Sequence, residues 1–226
     1  MSKTCLPINV GFTHIQELES YIRHIGPLKR GDHLFRTGDP MGGLLIVQSG
    51  CFKLYGIDSA GREYIPGFCV SGDAIGLHGF FSNVHEFNAL ALSTSMVCQI
   101  NQAQLNEVVG KLPAFLPAIL RTVGKLLVNN IFLSGSLSAE ERVTAFLFHF
   151  QDKLRDTEDT EQIFLPMSRG DISINLRMAL ATVSRMLSRL EREGIIKTDY
   201  HHIQILDQDR LAQKCKNVPF IGKRPK

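Results

Sequence analysis

The chain has 226 residues, 44% of them hydrophobic, which is enough for one large domain or two modest ones with a buried core. No apolar run approaches the roughly 18 residues of a membrane span, and the first residues carry no long apolar stretch after a basic start. A cytoplasmic protein with no membrane partner is therefore expected. The net charge of +3 is too mild to decide for or against a nucleic-acid partner.

Five cysteines stand at positions 5, 51, 69, 98 and 215. Their number is odd, their spacing is wide and no CxxC occurs, so no zinc ribbon and no thioredoxin-like motif is expected. No metal site is assigned from the sequence. In a reducing compartment each cysteine is by default a free thiol.

Along the chain, Thr13 to Ile25 reads first, as a short amphipathic helix with Ile15, Leu18, Ile22 and Ile25 on one side. From Gly31 to Gly79 glycines punctuate short apolar or alternating runs: His33 to Phe35, Leu44 to Val47, Phe52 to Tyr55 and Tyr64 to Val70. The runs have strand length and the glycines supply turns, which predicts a compact antiparallel roll or barrel. Ala89 to Ile100 reads as one further strand.

The period changes at Leu112. Leu112, Leu116, Ile119, Val123, Leu126, Asn130 and Leu133 alternate spacings of four and three, a heptad seam on one long helix. Pro113 and Pro117 fall near its start, where proline is tolerated. Such a seam, with one polar member, predicts a homodimer helix in which Leu116, Ile119, Val123, Leu126, Asn130 and Leu133 face a second copy. Gly135 to Ser138 reads as a hinge, Ala139 to about Leu154 as an amphipathic helix, Arg155 to Gln162 as a charged loop and Ile163 to Pro166 as a short strand.

The segment Met167 to Leu206 carries the clearest signal. Ser168 can cap a helix over Arg169 to Leu176. After a short turn, a second helix runs from about Leu180 to Glu193, burying Val183, Met186, Leu187 and Leu190, and Gly194 ends it. Ile195 to Thr198 and Ile203 to Leu206 form a hairpin around Asp199, Tyr200, His201 and His202. Two helices and a hairpin in this order make a winged helix-turn-helix, whose second helix enters the major groove of double-stranded DNA. Arg185 can offer two parallel donors to a guanine, and Thr182, Ser184 and Arg189 lie beside it. Ser168 and Arg169 stand where a phosphate backbone would pass. The tail from Cys215 to Lys226 holds Lys216, Lys223, Arg224 and Lys226 and no acid. It reads equally as solvated chain or as a phosphate contact.

These stretches together resemble the Crp/Fnr family, FNR branch. The resemblance is carried by Gly31-Asp32-His33-Leu34-Phe35-Arg36-Thr37-Gly38-Asp39, Ser49-Gly50-Cys51-Phe52-Lys53, Gly72-Asp73-Ala74-Ile75-Gly76, Thr94-Ser95-Met96-Val97-Cys98, Ala139-Glu140-Glu141-Arg142, Met167-Ser168-Arg169-Gly170-Asp171-Ile172 and Thr182-Val183-Ser184-Arg185. It implies an α+β chain in three parts. Residues 1–110 would form an effector β-roll (a jelly roll) like a cyclic-nucleotide-binding domain. Residues 111–136 would form the dimerisation helix and hinge, and 137–226 the winged helix-turn-helix. It implies a homodimeric transcription regulator on a two-fold symmetric operator, recruiting or blocking RNA polymerase, and not an enzyme.

Three departures qualify what the resemblance implies. Cyclic-nucleotide binders of the family hold the phosphate with an Arg-Ser pair and the ribose with a Glu after a Gly. The matching places here are Phe87-Asn88, and Leu77 after Gly76, so cyclic AMP is not the expected effector. Nearby His78, His85 and Glu86 read as a solvated loop, with metal ligation as the alternative. Oxygen sensors of the FNR type hold a [4Fe–4S] cluster with four cysteines. Only Cys5 and Cys98 match, which leaves a candidate redox pair and no four-cysteine site. Finally, the family's turn Gly, its Ser or Thr cap and its base-reading Glu are replaced by Arg177, Ala179 and Ala181. Those changes keep open a second class of function, a sensor or scaffold that has kept the fold and lost operator reading.

Overall fold

The computed structural model describes residues 19–133, 137–155, 162–199 and 202–215. The chain divides into two compact units, one up to residue 126 and one from residue 127.

The first unit is built from two four-stranded antiparallel sheets. One has strand order β1-β8-β3-β6, formed by Ile22–Leu28 (β1), Ser95–Asn101 (β8), Gly43–Ser49 (β3) and Ala74–Ile75 (β6). The other has order β2-β7-β4-β5, formed by His33–Phe35 (β2), Asn88–Ala91 (β7), Cys51–Ile57 (β4) and Glu63–Val70 (β5). Beside them stand α1 (Gly79–Ser82), α2 (Gln102–Lys111) and the start of α3 (Phe115–Leu133).

Strand β3 explains why its sequence is apolar without alternation. Leu45 and Val47 enter the core between the sheets, with Phe35, Phe52, Ile75, Ala89 and Val97. Leu44 and Ile46 point to the other face, where Val108, Leu112, Phe115 and Ala118 cover them. A strand buried on both faces reads as a continuous run. At the β3–β4 turn Gly50 has φ +85°, and a Cβ there would lie 2.2 Å from Ser95 Oγ. Only glycine fits so close an approach at a left-handed φ.

Two sequence expectations are corrected in this unit. Ile22 to Ile25 is not helical: it begins strand β1, pairing Ile22 with Ile100 and Ile25 with Val97. The Ile22 and Ile25 spacing fits a helical stripe, but edge pairing to β8 satisfies the backbone instead. Residues 13–18 of that expected helix lie outside the described residues. Ala89 to Ile100 is two strands, because the chain leaves one sheet at Ala91 and enters the other at Ser95. Helix α2, with Asn101 as its N-cap, was not anticipated.

The second unit holds α4 (Ala139–Arg155), β9 (Gln162–Phe164), α5 (Arg169–Asn175), α6 (Leu180–Arg192), β10 (Ile196–Asp199), β11 (His202–Ile205) and α7 (Gln208–Lys214). Its sheet has order β10-β11-β9 and is antiparallel. Val143, Phe146, Leu147 and Phe150 of α4 are buried, as are Ile172, Val183, Leu187, Leu190, Ile196, Ile203 and Leu211. The hinge residues 135–136, the loop 156–161, the hairpin tip Tyr200 and His201 and the tail from Lys216 lie outside the described residues.

Candidate nucleic-acid interface

Helix α5 starts at a capping box. Ser168 Oγ accepts from the Asp171 amide, and the Asp171 carboxylate accepts from the Ser168 amide and hydroxyl. The Ser168 side chain is thereby committed to its own helix, with an acid beside it, while Arg169 is exposed. The turn after α5 puts Arg177 at φ +53°, a left-handed conformation that glycine adopts without strain. Ala179 is the N-cap of α6 and offers no side-chain bond.

Helix α6 buries Val183, Leu187 and Leu190. At 100° per residue the opposite face is Ala181, Arg185, Ser188 and Arg192, and all four are exposed. That face carries two guanidinium groups and no carboxylate. Arg185 Nη2 donates to Thr182 Oγ1 at 3.2 Å, one turn earlier, so the fork is held near the helix surface and free to turn outward. Ser184 flanks this face and is partly buried.

Arg189 is placed differently. Its guanidinium is 3.0 Å from Glu140 Oε2 and 3.0 Å from Glu193 Oε1, and Lys214 pairs with the same two carboxylates. These hydrogen bonds from Lys214, helped by Arg189, hold the Glu193 carboxyl below the usual glutamate range. The network ties α6 to α4 and α7. Arg142, from α4, donates to Leu176 O at the end of α5, and Arg210 donates to Glu193 O at the end of α6. None of these fastening roles was read from the sequence. The (i, i+4) pair Arg189–Glu193 was the available signal.

Comparison with known proteins agrees with this geometry. Residues 26–111 match the model of the cyclic nucleotide-binding domain, and residues 141–214 match that of the Crp-like helix-turn-helix domain. Electron transport regulator A of Shewanella oneidensis is 33% identical over 96% of this chain and 89% of its own. The chain belongs to the Crp/Fnr family. The fumarate and nitrate reduction regulatory protein of Escherichia coli is 32% identical to this Crp/Fnr regulator over 94% of the chain and 87% of its own. The structure of FixK2 from Bradyrhizobium japonicum superposes with a TM-score of 0.70 at 26% identity, covering 85% of this chain and 95% of that one. The protein is thus a DNA-binding transcription regulator of the Crp/Fnr type, and the reading as a scaffold without DNA binding is not favoured.

The regulator's expected dimer residues divide. On α3, Leu116 is exposed, with Leu120 at 61% and Leu127 at 59%, while Val123 is partly exposed. Ile119 leans against its own core beside Leu112, Phe115 and Ala118. The helix must bury one stripe on its own roll, so the apolar stripe left outside is Leu116, Leu120, Val123 and Leu127, again spaced four, three and four. The side chains of Leu126, Asn130 and Leu133 lie outside the described residues.

Elsewhere, Cys98 is disulfide-bonded and its Sγ lies 3.9 Å from His24 Nδ1. Cys51, Cys69 and Cys215 are free thiols, and Cys5 lies outside the described residues. At the cyclic-nucleotide positions, Phe87 meets His78 and Tyr64 edge-on, at ring-centroid distances of 4.7 and 5.9 Å. Asn88 bonds Thr37 N and Tyr55 O. The expected solvated histidine loop is corrected: His85 is 3% exposed and stacked on Phe35 at 3.7 Å. Among the described residues no helix is long and apolar enough to cross a membrane.

Proposed function

We propose that this regulator binds a two-fold symmetric operator as a homodimer, with Arg185 reading a guanine in each half-site. The observation that carries the reading is the outward face of α6, where Arg185 and Arg192 are exposed beside Ala181 and Ser188. The exposed α3 stripe supplies the dimer contact, and a dimer doubles base contacts that are too few in one half-site for tight specific binding. RNA polymerase is the downstream partner, the cytoplasm the compartment, and no catalytic activity is assigned.

Ala181 decides operator choice. In the resemblance described above, a glutamate at this place accepts from a cytosine amino group, and alanine cannot. A good base contact is worth roughly 1–3 kcal/mol of discrimination. The wild type should keep one guanine per half-site and select weakly at the cytosine-contacting position. Selection of sites from a random pool with wild type and Ala181→Glu tests this: the variant should sharpen that one position. Equal stringency in both proteins would show that Ala181 does not set the choice, and no selection by either would return the scaffold reading.

Cyclic AMP is not the effector in this reading. Phe87 and Asn88 supply no guanidinium, and burying a phosphate without a cation is costly. Calorimetry should show no binding heat at micromolar ligand; a saturable isotherm would refute the assignment.

A further inference from the structure

The β-roll contains a polar feature that neither core packing nor DNA binding uses. His78 Nε2 and His85 Nδ1 are buried without a hydrogen-bond partner. A buried nitrogen in that state loses its water bonds and gains nothing in return. Two such atoms on neighbouring rings point to a ligand that both accept.

The surroundings narrow the ligand. An unprotonated ring nitrogen offers its lone pair to a Lewis acid, and neither of these two nitrogens is spent on a hydrogen bond. Metal–imidazole nitrogen bonds are about 2.0–2.1 Å, so two rings sharing one ion hold their centroids roughly 5–6 Å apart. The centroids of His78 and His85 are 5.7 Å apart. The third donor cannot be an acid or a thiol, because no group of three or more His, Cys, Asp and Glu gathers to hold an ion among the described residues. Met41, 7% exposed, is the neighbour with a lone pair. A Cβ on Gly79 would fall 2.5 Å from Met41 Sδ and 3.4 Å from His85 Nδ1. The thioether and the imidazole thus both lie against Gly79, which has no side chain to separate them. Gly76, at φ +80°, lets the same ring pack closely on its other side: a Cβ there would meet His85 Cε1 at 2.9 Å.

Two neutral imidazoles and a thioether, walled by Phe35 and Phe87, form a soft, uncharged donor set. Hard cations prefer carboxylate and water, while thioether selects monovalent copper. We propose that His78, His85 and Met41 form a monovalent-copper site inside the β-roll. The site deepens the reading of this unit as the one that receives a signal, and its occupancy is measured without DNA, so it stands or falls separately from operator binding.

The test uses the full chain with Cys5→Ser and Cys98→Ala, so that those sulfurs do not contribute. Under anaerobic conditions the protein is titrated with Cu(I) against the chelator bicinchoninate. Wild-type donors should retain one copper per chain, and His78→Phe and His85→Phe should each lose it. Met41→Leu should weaken retention, and Gly79→Ala, which keeps all three donors but whose methyl would displace Met41 Sδ, should lose it as well. Circular dichroism and urea midpoints matching the parent keep any loss from being ascribed to unfolding. No retention by the parent, or equal retention in both histidine variants, overturns the site and leaves ordered water as the partner of the two nitrogens. Retention that depends on the histidines and is unchanged in Met41→Leu overturns the assignment to a soft ion.

Discussion

Residue-level chemistry in the helix-turn-helix is strained at Arg177 and lacks a helix cap at Ala179. Arg177 sits at φ +53° and Ala179 caps α6 with no side-chain acceptor. A β-carbon in the left-handed region costs about 1–2 kcal/mol, partly offset by the greater chain entropy that glycine loses on folding. Arg177→Gly should therefore raise stability by about 0.5–1 kcal/mol. Ala179→Ser should add about 1 kcal/mol by accepting an orphan amide of α6. Chemical denaturation of the two single variants checks both, and an unchanged or lowered midpoint for Arg177→Gly would sink the strain argument. Arg177 is also exposed, so the same variant reports on phosphate contact. If Arg177 touches the backbone, its loss weakens binding to all sequences alike and lessens the salt dependence.

The individual elements are held by what they cover. Helix α3 contributes Phe115, 1% exposed, to the outer face of β3, where Leu44 and Ile46 would otherwise meet water. Truncating a buried phenylalanine typically costs about 3–5 kcal/mol, from lost transfer energy and the cavity left behind. Phe115→Ala should therefore destabilise the β-roll by that amount. The winged-helix unit has its own core and should unfold at an unchanged temperature. Calorimetry resolving two transitions checks this. A single transition that shifts as a whole would mean the units are coupled through α3. In α6, the Glu140–Arg189–Glu193–Lys214 network fixes the helix by charge one turn beyond Arg185.

At the scale of the whole molecule, the exposed stripe Leu116, Leu120, Val123 and Leu127 asks for a partner surface. Leu120 and Leu127 are exposed in the single chain, so Leu120→Glu with Leu127→Glu leaves the protomer's own core intact. Facing copies of this double variant bring like charges into an apolar seam, and the expected outcome is a monomer by sedimentation. Its operator affinity should collapse, since one half-site alone gives few contacts. An intact dimer would assign the dimer contact to another face.

Most of the fold was readable because local rules agree with the global ones in these segments. The glycine-spaced runs gave β2 to β5, and the Ser168 cap and Gly194 stop gave α5 and α6, with the Thr182-Val183-Ser184-Arg185 run in the first turns of α6. The errors have a common cause. Ile22 and Ile25 fit a helical period, yet the open edge of β8 made a strand of them. Ala89 to Ile100 reads as one strand, and only the sheet change at Leu92 to Thr94 breaks it. The heptad from Leu112 is a different matter: a helix with apolar residues on two stripes does not reveal which stripe its own domain takes, and the packing of Phe115 and Ala118 on β3 leaves Leu116, Leu120 and Leu127 exposed in the single chain. By itself the sequence determined period, caps and the chemistry of the α6 face, all set by neighbours within a few residues. Which surfaces meet was decided only by tertiary structure: Arg189 turned to Glu140, and His85 buried against Phe35 beside His78 and Met41. Those contacts join residues far apart in the chain, and no local pattern encodes them.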